Sequence, residues 1–142
     1  MFAVEKLEAV KDTGKVLFFK LVKDDVCWFD DFYEELNKDA KHASELRTIL
    51  TMMDYMAETD AMLPKEKFNS IKHGKNVIGY EFKKNDLRVY CLRPASNVVV
   101  VFGGYKKNQE KAVKRLEKIV EEVKDEIVEL IKEKLMNYDD QR

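Results

Sequence analysis

Between Asn76 and Phe102 the apolar and polar residues follow a period of two, the spacing that sends successive side chains to opposite faces of a strand. Ile78, Tyr80 and Phe82 interleave with Val77, Gly79, Glu81 and Lys83, and Lys84-Asn85-Asp86 predicts a turn. Leu87, Val89 and Cys91 then interleave with Arg88 and Tyr90. Beyond a second turn at Arg93-Pro94-Ala95-Ser96-Asn97, Val98 to Phe102 is an unbroken apolar run, as a strand covered on both faces requires. Gly103-Gly104 reads as its stop. Together these segments predict an antiparallel meander that feeds a helix.

The N-terminal pattern is looser. Phe2 and Val4 alternate with Ala3, Asp12-Thr13-Gly14 signals a turn, and Lys15 to Val22 is a rich β run, so a hairpin is expected with its second strand the better buried. A helix should start near Asp31, with Glu34 reaching back as a capping box. A second runs from Asn37-Lys38-Asp39 to about Thr59, on the stripe Leu46, Ile49, Leu50, Met53, Met56 and Ala57. His42 sits at the edge of that stripe and reads as a partly covered structural histidine. Met52, Met53 and Met56 read as core. Leu63-Pro64 ends the helix, and Lys65 to Lys75 reads as a basic connector pinned by Phe68 and Ile71.

From Asn108 to about Tyr138 a single helix is expected, about 45 Å long for thirty residues. Val113, Leu116, Val120, Val123, Ile127 and Leu130 alternate by three and four along it. That length exceeds what a small sheet can cover. Ile127 to Met136 would then leave an apolar stripe in water, which favours a homodimer, or a protein partner, through the C-terminal helix. The fold class expected is α+β: an antiparallel sheet made of the N-terminal hairpin and the C-terminal meander, with two helices inserted after the hairpin and a long C-terminal helix. One domain spans 1–142, with 121–142 a helical extension.

Charge changes the picture more than composition does. The chain is 45% hydrophobic and 37% charged, which is ordinary for a globular protein, and its net charge is −1. That near-neutrality hides a polarised molecule. Residues 64–115 hold 13 Lys or Arg against 4 Asp or Glu, net +9; residues 1–63 hold 8 against 14, net −6; residues 116–142 hold 5 against 9, net −4. A basic block on a sheet-and-loop segment points to a polyanion, nucleic acid first. The bland alternative is that these lysines only solvate a sheet face. No apolar run is long enough to span a bilayer and no signal-peptide pattern opens the chain, so a cytoplasmic protein without a membrane partner is expected. Cys27 and Cys91 form no CxxC, and two histidines offer little for a metal centre, so no cofactor or metal is expected.

The candidate chemistry comes from three segments. Arg88 and Tyr90 share one face of a strand, Tyr105, Lys106 and Lys107 follow the last strand, and Lys72, His73 and Lys75 precede the first. Fixed guanidinium and ammonium groups without paired carboxylates suit a phosphodiester whose transition state gains negative charge. With RNA the nucleophile is the substrate's own 2′-hydroxyl, and the protein has to orient the backbone and move protons. Arg88 is the expected phosphate clamp, His73 or a lysine the proton carrier, and Tyr90 or Tyr105 a stacking platform. Spacing alone does not separate cleavage from passive binding.

The run YEFKKNDLRVYCL, followed by VVVVFGGYKKNQEKAVKRLEKI, resembles the RelE/HigB-like toxin superfamily in its strand arginine, apolar strand, glycine, aromatic, Lys-Lys pair and helix. The likeness runs from Phe68 to about Ile119, and the coarse element order extends it over most of the chain. It implies the toxin of a type II toxin–antitoxin module, which cuts mRNA on the ribosome by metal-independent 2′-hydroxyl attack and is held inactive by a cognate antitoxin. Arg88, Lys106 and Lys107 match the family's strand arginine and basic pair. Lys72, His73 and Lys75 fall in a region where members carry basic or histidine residues, without a unique alignment. The chain departs from the family in its added N-terminal strand and its longer acidic C-terminal helix. The competing expectation is an interaction module of the RelE/ParE fold without nuclease activity, either an inhibitor of a target enzyme or a regulatory nucleic-acid-binding protein.

Overall fold

The computed structural model describes residues 1–12 and 14–140, with side chains to 136. Thr13 of the expected first turn lies outside them. Its elements are β1 (Phe2–Lys6), β2 (Phe18–Lys23), α1 (Trp28–Leu36), α2 (Ala40–Thr59), β3 (Phe68–His73), β4 (Asn76–Lys84), β5 (Leu87–Leu92), β6 (Val98–Tyr105), α3 (Gln109–Val123) and α4 (Ile127–Asp140). The protein is α+β, a six-stranded sheet in the order β1-β2-β6-β5-β4-β3 between two helical layers. Leu46, Ile49, Met53 and Met56 of α2 pack with Phe82, Leu87 and Val89 on one face. On the other, Leu116, Ile119 and Val123 of α3 pack with Tyr90, Val99 and Phe102.

Hairpin and meander both form, but the sheet is mixed rather than antiparallel, because β2 joins β6 in parallel through Phe18, Phe19 and Lys20 opposite Val98, Val99 and Val100. With β1 on its other side, β2 is buried on both flanks, which answers its apolar sequence. The basic connector is a strand: Phe68 to His73 pairs antiparallel with β4. Gly103-Gly104 does not stop β6, which continues to Tyr105. Neither glycine has a positive φ. Gly103 is there for space, since a Cβ on it would intrude on the ring of Phe32 in α1.

Two bulges decide which way side chains face. Ile71 pairs Gly79 and Lys72 pairs Val77, so Ile78 is the extra residue of β4, and it packs with the α3/α4 layer instead of joining Tyr80 and Phe82. Tyr90 pairs Phe102 and Cys91 pairs Val100, which makes Val101 the extra residue of β6. Val101 and Phe102 therefore both face α3, and beyond them the alternation runs in the opposite phase.

Helix starts and stops differ from expectation as well. α1 opens at Trp28 with Cys27 at its N-cap, and Asp30 and Asp31 fall in the first turn, where carboxylates complement the helix dipole. The long C-terminal helix breaks at residues 124–126. Its second part turns back, burying Ile127 and Ile131 and packing against β1. The stripe that favoured a homodimer is thus largely covered by the chain's own sheet, leaving Val128 and Met136 exposed. Cys27 and Cys91 are buried free thiols.

Candidate functional site

The residues expected to converge do not all do so. Arg88 is 7% exposed and faces the α3/α4 layer. Its Nη1 donates to the carbonyl of Asn85 at 2.7 Å and to that of Leu87 at 2.9 Å, while its Nε has no partner among the described residues. The guanidinium therefore clasps the β4–β5 turn of its own scaffold rather than standing free, as the expected phosphate clamp would. Tyr90 is fully buried, with its ring 5.0 Å from that of Phe102, so it cannot stack on a base. Burial first, and Glu81 second, push its phenol up to about 12 against the opposing effect of Arg88.

Lys72, His73 and Lys75 are exposed, but at the far end of the meander. β4 runs nine residues from the His73 end to the Arg88 end, about 26 Å at 3.3 Å per residue. His73 Nδ1 meets Glu117 of α3 at 2.8 Å, and that hydrogen bond raises its pKa. Three separated segments gripping one linkage is therefore corrected: a rigid strand keeps two of them apart.

What does assemble is a groove of about 710 Å³ lined by His42, Asp86, Tyr105, Lys106 and Lys107. The bulge at Val101 builds it. Val98 and Val100 face the α1/α2 layer, and uninterrupted alternation would send residue 105 to the opposite one. With one extra residue, Tyr105 joins the α1/α2 side, where its ring lies 6.0 Å from Phe32 and 5.3 Å from His42. A single 3-10 turn, Lys106–Asn108, then sets both ammonium groups in solvent at the mouth, and the Lys106 N–H donates to the Asp86 carbonyl at 2.7 Å.

His42 comes from the first turn of α2. Asp39, the N-cap of that helix, accepts from the Lys41 N–H at 3.0 Å and holds His42 Nδ1 at 2.6 Å. One carboxylate thus caps the helix and orients the imidazole, leaving Nε2 as the other ring nitrogen. Glu45 is buried one turn on, with one carboxylate oxygen lacking a partner among the described residues. Burial foremost, then Asp39, Glu35 and Glu45, raise the Tyr105 pKa and keep that phenol protonated.

Charge pairing separates this region from the segment before residue 64. Of the eight Lys and Arg before residue 64, five sit in ion pairs: Lys6, Lys11, Lys20, Lys23 and Lys38. Of the thirteen in 64–115, only Arg93 and Lys114 do among the described residues. The basic block therefore holds more cations without a carboxylate partner, among the described residues, than the N-terminal segment does.

No family model matches the chain, and no curated protein matches it. Among the described residues no helix is long and apolar enough to cross a membrane.

Proposed function

We propose that this chain holds a ribose–phosphate strand in the His42 groove and cleaves it through the strand's own 2′-hydroxyl, the chemistry that its RelE/HigB-like resemblance implies. The observation that carries the reading is the Asp39–His42 pair opening beside Tyr105, Lys106 and Lys107. Asp39 holds the imidazole on one nitrogen, and the other accepts the 2′-hydroxyl proton. Lys106 and Lys107 face the phosphate as its equatorial oxygens gain charge, and one of these ammonium groups protonates the departing 5′-oxygen. Tyr105 offers a ring edge and a phenol proton to the neighbouring base. His73 and Arg88 have no part in the step. A cognate antitoxin and ribosome-bound mRNA belong to this reading through the resemblance.

The test is end-mapping of RNA incubated with the purified chain. Wild type yields 2′,3′-cyclic phosphate ends. His42→Ala lowers the rate about 10²–10⁴-fold, the contribution typical of a positioned proton acceptor. Asp39→Asn preserves the helix cap, since Asn caps as well as Asp, and lowers the rate less. Unchanged cleavage by folded His42→Ala overturns the reading. A second reading, an interaction module that binds without cutting, draws on the engagement of Arg88 with its own turn. It predicts intact RNA with undiminished affinity.

A further inference from the structure

Farther along α2, on a face about 140° round the helix from His42, a second groove opens. Met52 and Tyr55 of the same helix line a cleft of about 710 Å³ together with Lys67, Lys83 and Lys84, and Met62 also lies on its wall. Both grooves reach the β4–β5 turn, where Asn85 lines one and Asp86 the other. Tyr55 is 51% exposed and Met62 78% exposed, an unusual display of large side chains beside three lysines. None of those lysines has an ion-pair partner among the described residues, and Glu66 in the same lining does not pair with them. Thr48 and Thr51 on the helix wall donate their hydroxyl protons to backbone carbonyls one turn back. That leaves their oxygens as acceptors toward the cleft.

We propose that the second groove is a continuation of the strand track: single-stranded RNA seated at His42 runs on around the β4–β5 turn, stacks a base on Tyr55 and lays its phosphates along Lys67 and Lys84. This rests on the reading of the first groove as the RNA site. Sites for single strands pair a cationic groove with aromatic platforms, and both occur here. His42 and Tyr55 are thirteen residues apart on one helix, about 20 Å along its axis at 1.5 Å per residue and about 140° apart around it. At a stacked rise of about 3.4 Å per nucleotide, that distance takes about six nucleotides, within the 4–16 that such sites occupy.

Fluorescence anisotropy tests it with a labelled oligouridylate of about twelve nucleotides, which spans both grooves, and a trinucleotide, which fills one. Tyr55→Ala weakens the long probe about 5- to 150-fold, the range for losing one base–aromatic stack, and leaves the trinucleotide unchanged. Tyr55→Phe keeps the affinity, because it keeps the ring. Lys67→Gln with Lys84→Gln flattens the log–log salt dependence of the long probe by about 1.4, from about 0.7 per phosphate on a single strand. If these variants bind the long probe as wild type does while Lys106→Glu with Lys107→Glu loses it, the track is overturned and the first groove stands. If the Lys106 and Lys107 variant has no effect on either probe, the reading of the first groove falls, and the track with it.

Discussion

Removing Arg88 separates a scaffold role from a ligand role. One buried Nη1 makes two hydrogen bonds, to the carbonyls of Asn85 and Leu87, at 2.7 and 2.9 Å. Hydrogen bonds from a charged donor contribute about 1.5–3 kcal/mol each. Against them stands a 7% exposed guanidinium whose Nε is unpartnered among the described residues, at a desolvation cost of about 1–3 kcal/mol. Arg88→Ala should therefore destabilise the fold by about 2–3 kcal/mol. For a chain of 142 residues that corresponds to a fall in Tm of about 6–15 °C. Arg88→Lys keeps the charge but loses the planar fork, and should fall between the two. Thermal and urea unfolding measure the loss, and an unchanged urea slope certifies that stability alone moved. RNA affinity at a temperature where both proteins are folded should be unchanged. The reasoning is refuted if Arg88→Ala melts with wild type while its RNA binding collapses, since the guanidinium would then reach the ligand.

Gly103→Ala should lower stability by about 1–3 kcal/mol through overpacking against Phe32. Because Phe32 supports Tyr105, RNA cleavage should fall too, and adding Phe32→Leu should restore part of both in a double-mutant cycle. The Tyr90 phenol titrates above its ordinary 10.0, at about 12. The protonated form is thus favoured in the fold, and this stability is complete below pH 10.0 and lost between there and about 12. Denaturant unfolding on either side of pH 10.0 should show that loss in wild type and a smaller one in Tyr90→Phe. His73, raised from 6.5 by Glu117, contributes stability that is complete below 6.5 and fades as pH climbs through its raised value. An NMR titration should find its midpoint above 6.5 and returning toward it in Glu117→Gln; identical midpoints in the two proteins would dismiss the pair.

The strands β4 to β6 were legible because Tyr80, Phe82, Leu87, Val89 and Cys91 keep a period of two, and α2 because its apolar spacing is helical. β3 escaped notice because FNSIKH has only Phe68 and Ile71 buried, without strict alternation. The glycine pair at 103–104 reads as a stop because glycines commonly mark turns, whereas the demand here is the bulk of Phe32, seventy-one residues away along the chain. Lys124-Asp125-Glu126 carries neither Gly nor Pro, so nothing local marks the helix break. It serves the sheet, since α4 must fold back to cover β1.

Part of the groove's lining is legible in the sequence. Tyr105, Lys106 and Lys107 were singled out and do line one groove. His42 was set aside as structural, although a histidine three residues after an N-capping aspartate is a signal that the two side chains can meet. Arg88 and Tyr90 were rightly placed on a common face, but not on which one. That depends on pairing registers, and the extra residue at Val101 reverses the sense of everything after it.

The three-rung parallel seam between β2 and β6 also governs how this chain is born. Phe18 leaves the ribosome eighty residues before Val98, its neighbour across the seam, so FFKLV waits through most of synthesis with one flank open to other nascent chains. Lys20 splits its apolar pairs and Lys23 closes the strand, two gatekeeping charges where premature stacking would otherwise begin.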